Sequence, residues 1–268
     1  MIFIMKLTLL LLFTVLGISR IQAAIPNVFC MIEHCGIEMK DCMADSDCKN
    51  AMICVTGCGT SNQTCEFDCI YSYEDDIFDN LMKCIVTDHK CMDIPPPNPP
   101  VVCHRPTKVA TSFDIGSLNG TWYIVRGKNP IYDCFNCQVT TFVPTQKDTF
   151  SASEHFDVNA IDGSIKHRSV TDTVTQWNMT SPGFLKYHSM QMGHETISEY
   201  RVLDFGKDYL FMYYCGSISA NYFFEGSIVY SKSTSLSTDT ISKLTSVAAT
   251  AGLNFNSFCK PNHNNCHN

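Results

Sequence analysis

From Gly120 to Ser231 the chain is divided by turn-forming residues into short stretches of alternating character, and no other feature narrows the fold as much. Eight stretches read as strands: 120–126, 134–142, 149–156, 164–174, 184–192, 197–205, 209–217 and 222–231. The separators 144–148, Asp162-Gly163, Ser181-Pro-Gly183 and 205–208 carry Gly, Pro and Asp turn chemistry. No helical period interrupts the series, so it argues for an antiparallel sandwich or barrel rather than a parallel sheet. Eight strands closed on themselves leave an interior that holds one small ligand. A single helix follows, with a cap at Thr238-Asp239 and a stripe of Ile241, Leu244, Val247 and Ala248 that ends at Gly252.

The part before the strands is of another kind. Of the 16 cysteines, ten lie between residues 25 and 91: Cys30, Cys35, Cys42, Cys48, Cys54, Cys58, Cys65, Cys69, Cys84 and Cys91. So short a segment has little apolar surface, and disulfides would restrict its unfolded state. The spacings Cys54-x3-Cys58 and Cys65-x3-Cys69 put each pair on one helical face, and residues 59–62 supply a turn. Two facing helices stapled by two bridges are expected, with the connectivity left open. Residues 78–86 continue as an amphipathic helix bearing Cys84. Zinc spacing is absent from this segment, so no metal is expected. Cys134-Phe-Asn-Cys137 could be redox-active, but such pairs in an oxidising compartment are mostly structural.

The compartment follows from the first 24 residues. Lys6, the apolar run Leu7 to Gly17 and the small residues Ala23 and Ala24 form the layout of a secretory signal peptide, too short to span a bilayer. Leu rather than Arg and Ser sets it apart from a plastid transit peptide, so secretion is expected and the plastid lumen disfavoured. Three Asn-x-Thr acceptors, Asn62, Asn119 and Asn178, are then glycosylation candidates. The organisation expected is a signal peptide over 1–24, a cysteine-rich helical domain over 25–94, a stiff proline-rich linker over 95–106 that holds the two domains at a fixed distance, and the barrel over 107–268.

Charge excludes some partners. Residues 25–95 carry 4 basic and 13 acidic side chains, and residues beyond carry 13 of each. An acidic cap argues against nucleic acid and anionic membranes. No later run is long enough for a transmembrane segment, and a homodimer is left open. Aromatic residues of the last two strands, among them Tyr209, Phe211, Tyr213, Tyr214, Tyr222 and Tyr230, suit an apolar ligand or a filled core, depending on register. His188 and His194 read as surface or loop residues.

Gly120-x-Trp122 at the first strand, eight strands and one late helix resemble the lipocalin pattern, in which Trp122 packs the closed end of the barrel. The compound is more specific: Asn119-Gly-x-Trp-Tyr123, Asn129-Pro130, Asp133, Phe135-x-Cys137-Gln138, Asp208-Tyr-x-Phe-x-Tyr-Tyr214, Ile228-Val-Tyr-Ser-Lys-Ser233 and Phe255-Asn-Ser-Phe258 leading to Cys266. With the cysteine-rich domain and proline linker, it resembles the violaxanthin de-epoxidase family over nearly the whole chain after the signal. The resemblance implies an α+β, mainly β protein: an eight-stranded antiparallel lipocalin-like barrel with a C-terminal helix, preceded by a small disulfide-rich helical domain. It implies a Cys137–Cys266 bridge, leaving Cys103, Cys134, Cys215 and Cys259 for one further bridge.

The family's enzyme reduces xanthophyll epoxides with ascorbate as co-substrate and no bound cofactor. The resemblance therefore implies Asp133 as the acid of the barrel and Gln138, Tyr214 and Tyr230 as ligand-binding residues. Two positions depart from it: Thr140 stands where the family has a histidine, and Ser198 where it has a second aspartate. Glu199 is adjacent but would face the opposite side of its strand. The family's glutamate-rich C-terminal extension is also missing. The reading is a secreted lipocalin that binds a small apolar, isoprenoid- or carotenoid-like ligand with altered or lost catalysis; the alternative is an active ascorbate-dependent de-epoxidase.

Overall fold

The computed structural model describes residues 27–58, 62–94, 96–97, 99–177, 181–218 and 222–266. Residues 1–24, expected to be a signal peptide, and Asn178 lie outside them. Asn62 and Asn119 are exposed.

Five short helices build the cap: α1 (Val28–His34), α2 (Gly36–Ala44), α3 (Ser46–Gly57), α4 (Gln63–Tyr73) and α5 (Asp76–Met82). The side chains of Asn27, Asp45, Asn62 and Asp75 each accept a main-chain N–H of the first turn they precede. Caps of this kind contribute ~1 kcal/mol each. The helix expected to run on through Val86 instead changes pitch, passing into a π-helical turn at Lys83–Asp88. Five disulfides, Cys30–Cys91, Cys35–Cys84, Cys42–Cys48, Cys54–Cys69 and Cys58–Cys65, enclose a small core of Ala51, Phe78, Leu81 and Ile85. Two of them staple α3 to α4 as the spacing suggested. Cys58, Cys65 and Cys69 cluster closely enough to hold a metal, but all three are oxidised and offer no thiolate.

The strands close into an antiparallel barrel in simple chain order: β1 (Gly120–Gly127), β2 (Asn136–Gln146), β3 (Thr149–Asn159), β4 (Ile165–Gln176), β5 (Phe184–Gln191), β6 (His194–Phe205), β7 (Tyr209–Ser217) and β8 (Phe223–Ser231). One end is closed by a 3-10 turn, Ile115–Leu118, whose Leu118 carbonyl accepts the Trp122 indole N–H at 2.6 Å. Lys232 lies over the Trp122 ring at 3.8 Å, so this tryptophan packs the floor as expected.

The register of β7 is now fixed. Leu210, Met212 and Tyr214 point inward, while Tyr209 and Phe211 face α6 (Thr238–Thr250) and the C-terminal tail. The cap of α6 is Ser237, one residue before the expected pair. Leu244, fully buried between α6 and the barrel wall, contributes about 1.5–3 kcal/mol. The four remaining cysteines form two bridges, Cys103–Cys215 and Cys134–Cys259, instead of the single one expected, because the tail runs beside the β1–β2 loop and brings Cys259 within reach. Cys137 pairs with Cys266.

The linker does not hold the cap at a distance. Its last residues turn along the barrel, where the His104 N–H donates to Glu225, and the cap folds onto the open end. Phe67 and Tyr71 of α4 pack edge-on against Tyr132 and Phe135 of the barrel rim, at 4.9 Å in both cases. Burying this aromatic surface outweighs the spacing preference of the prolines. Arg168 of β4 completes the joint, donating to the Tyr71 carbonyl at 2.6 and 2.9 Å and to the Glu74 carbonyl at 2.7 Å. Those carbonyls are among the orphan acceptors of a helix C-terminus. Gly193, in the β5–β6 turn at φ 71°, sits so close to α5 that any side chain there would overlap the Asp79 carbonyl and the Lys83 amide.

Candidate active site

Beneath the cap lies a cavity of about 340 Å³, lined by residues of all eight strands, the β1–β2 loop and the cap. Asp133, Gln138, Tyr214 and Tyr230 all line it, together with Thr140 and Ser198. Gly120 and Trp122 belong to the other end of the barrel. Glu199 does face outward, where it pairs with Arg105 and Arg201.

Two hydrogen-bonded units dominate one side. In the first, the Tyr214 hydroxyl donates to Asp133 Oδ1 at 2.6 Å and the Asn129 main-chain N–H donates to Oδ2 at 2.8 Å. Gly226 leaves the space that the Tyr214 ring occupies, since a Cβ there would overlap the phenol. In the second, Gln138 Nε2 donates to Glu154 Oε1 at 2.7 Å, and the Phe135 N–H donates to Gln138 Oε1 at 3.2 Å. Strands β4 to β6 carry Asp172, Tyr187, Ser189 and His194, each with a buried polar atom that has no hydrogen-bond partner among the described residues. Tyr187, Tyr200 and Tyr214 form a stack with ring centroids 3.9 and 5.2 Å apart that links β5, β6 and β7.

Burial sets the electrostatics. It pushes Asp133 up to about 7, against the Tyr214 hydroxyl and main-chain donors that pull the other way. It likewise raises Glu154 to about 7, opposed by Gln138 and assisted by Asp172 and Asp133. Asp172 rises to about 6 for the same first reason, with Ser189 and Gln191 opposing. His194 is lowered to about 4 by burial and stays neutral at mildly acidic pH. Where the cap meets the cavity, burial and the nearby Asp79 hold Glu74 up to about 8. No basic side chain pairs with Asp133, Glu154 or Asp172 among the described residues. An unpaired buried charge is expensive, so such acids persist most cheaply as neutral hydrogen-bond donors.

Sequence reasoning missed Glu154, Asp172 and His194. The signal was available for the first two: each is an acid set into an apolar, inward-facing alternation, Phe150-x-Ala152-x-Glu154-x-Phe156 and Val170-x-Asp172-x-Val174. His194 was placed on the surface because the turn before it looked longer. That turn is only Met192-Gly193, so His194 already opens β6 and is 7% exposed beneath the cap.

Residues 27–264 match the family described as the VDE lipocalin domain. The chain is similar to "Violaxanthin de-epoxidase, chloroplastic" of Nicotiana tabacum, 27% identical over 250 residues that cover 88% of this chain and 50% of that protein. The protein of the same description from Arabidopsis thaliana is 26% identical over 250 residues, covering 88% and 52%. The chain thus spans about half the length of the curated relatives it matches. Among solved structures, lobster apocrustacyanin A1 is 16% identical, covering 59% of this chain and 89% of that one, with a TM-score of 0.44. Per a 4 from cockroaches gives 16% identity, 59% and 94% coverage, and a TM-score of 0.44. On the match across residues 27–264, this chain belongs to the VDE lipocalin domain family.

Proposed function

We propose that the barrel binds a small, largely apolar molecule of isoprenoid or carotenoid type, holding an oxygen function of that molecule against its buried carboxyl groups. The observation that carries this reading is the set of three acids, Asp133, Glu154 and Asp172, sunk among tyrosines without a basic partner among the described residues. As neutral acids they donate to an uncharged oxygen and disfavour an anionic ligand. A cavity of about 340 Å³ is at the small end of ligand pockets. It accommodates a ring with a short substituent, so a long polyene would leave part of its length outside. Eight disulfides, and no described helix long and apolar enough to cross a membrane, fit a secreted or lumenal protein. We read the compartment as secretory, with Asn62, Asn119 and Asn178 as sugar acceptors.

A second reading, ascorbate-dependent epoxide reduction, is favoured by the same raised carboxyls. An acid that is neutral near pH 5 can pass its proton to an epoxide oxygen as one C–O bond breaks. Two electrons from ascorbate and a second proton then break the other C–O bond. The products are an alkene, water and dehydroascorbate. The test incubates the oxidised protein with violaxanthin and ascorbate at about pH 5, in the range where carboxyls raised in this way carry protons. De-epoxidised pigment above the no-protein control makes the chain an enzyme. Unchanged pigment co-eluting with the protein makes it a binder, and pigment that is neither converted nor bound refutes both readings.

A further inference from the structure

We infer that Glu154, rather than Asp133, is the carboxyl that donates to the oxygen of the bound ligand, and that Asp133 is a positioning residue. The inference rests on the reading of the cavity given above and names which of its acids does the work.

Hydrogen-bonding capacity separates the two groups. Asp133 has a donor on each oxygen, the Tyr214 hydroxyl on Oδ1 and the Asn129 N–H on Oδ2. The main-chain N–H groups of Lys128 and Ser227 face it as well. A carboxyl so surrounded is held as an acceptor. It ties the β1–β2 loop to β7 and β8 and fixes the Tyr214 ring. Its neighbour Gly127 has no room for a side chain beside it.

Glu154 is arranged differently. Its Oε1 accepts from Gln138 Nε2, and the Gln138 amide cannot turn over because its own oxygen is taken by the Phe135 N–H. With Oε1 committed as an acceptor, a proton on this carboxyl resides on Oε2. Oε2 has no partner among the described residues, and Glu154 lines the cavity. The residue directly across from it on β2 is Thr140, which lines the cavity beside it and whose own Oγ1 has no hydrogen-bond partner among the described residues.

Burial and the carboxyls of Asp172 and Asp133 favour the neutral form, against the pull of the Gln138 amide. Asp172 on β4, the Asp133 loop, Tyr71 of the cap, Tyr187 on β5, Tyr200 on β6 and Tyr230 on β8 all interact with Glu154 electrostatically, and all are acids or phenols. Arg168 and His167 also reach the cavity, but the Arg168 fork is spent on cap carbonyls and His167 pairs with Asp157.

The experiment measures violaxanthin binding by the wild-type protein and by Glu154→Gln, Asp133→Asn and Glu154→Asp, at pH 5 and pH 8, with turnover in ascorbate as a second readout. Wild-type affinity should fall about tenfold per pH unit above 7, as one linked proton requires. Glu154→Gln keeps an N–H donor at every pH, so it should bind equally at both and lose any turnover. Asp133→Asn should keep the pH step, and Glu154→Asp should keep it at lower affinity, which separates proton donation from folding. A wild type that binds while Glu154→Gln retains the full pH step or turnover overturns the assignment to Glu154 alone. A wild type that takes up no pigment at either pH overturns the reading of the cavity itself.

Discussion

Arg168 offers the sharpest test of how the cap is held. Its guanidinium makes three hydrogen bonds to two carbonyls at the C-terminal end of α4. Hydrogen bonds to a charged group contribute roughly 1.5–3 kcal/mol each. Because Arg168 is only half-buried, water can take over part of that role, and the net loss on Arg168→Met is ~2–4 kcal/mol of docking energy. The methionine retains the apolar stem, so the barrel itself should be intact. A local reporter exists in the Ile161 N–H, which crosses the joint to the Ser72 hydroxyl at 2.9 Å. Its exchange with solvent depends on docking rather than on the fold of either part. By the conversion of 1.4 kcal/mol per tenfold, Arg168→Met should accelerate that amide by a factor between about 30 and 1,000. An unchanged Ile161 rate together with a lowered melting temperature would refute the account, since Arg168 would then be stabilising the barrel and not the joint.

Other consequences can be measured directly. Glu74, Asp133, Glu154, Asp79 and Asp172 all have folded values raised above the usual carboxyl range, so the stability they confer is full below about pH 4 and is lost as pH rises towards 8. His194, lowered to about 4, acts in the opposite sense, and its share is lost as pH falls from about 6.5. The urea midpoint of the oxidised protein should therefore be higher at pH 5 to 6 than at pH 8; a higher value at pH 8 would contradict the burial argument. Tyr214→Phe removes a donor to the ionised form of Asp133, so its cost of ~1–2 kcal/mol should appear at pH 8 and shrink at pH 5, read as paired melting temperatures. Cys137→Ser with Cys266→Ser opens a bridge nested against Cys134–Cys259. With the neighbour intact, the loop lost is only roughly ten residues, so the chain-entropy cost is ~2.5–3 kcal/mol rather than ~5. A loss near the larger figure in a denaturant titration would mean that the two bridges do not share the constraint.

The strands were legible from the turn residues that separate them, and 209–217 coincides with β7 at both ends although both of its faces are buried. The facing helices of the cap were legible from Cys54, Cys58, Cys65 and Cys69, since four residues is one helical turn. What could not be read is anything that depends on which distant residues meet. Tyr214 and Asp133 are 81 positions apart and touch only once the barrel closes. The docking of Phe67 and Tyr71 onto Tyr132 and Phe135 depends on the shape of a rim that no local pattern encodes. Glu154 was overlooked for another reason. An acid in a strand is read as the solvent face, although the apolar alternation Phe150, Ala152 and Phe156 already placed Glu154 on the inward face that the register against Thr140 confirms.

None of the eight disulfides crosses between cap and barrel: five lock the cap, two lock the barrel, and Cys103–Cys215 ties the end of the linker to the barrel. The joint is accordingly a tethered binding equilibrium between two bodies, with the linker setting a local concentration on the order of millimolar. Contacts worth a micromolar dissociation constant keep such a tether closed about 99.9% of the time, and contacts weakened to millimolar leave it open about half the time. Because Trp122 and the 3-10 turn close the other end of the barrel, that equilibrium sets how wide the cap end of the cavity stands, and no thiol has to be reduced for it to widen.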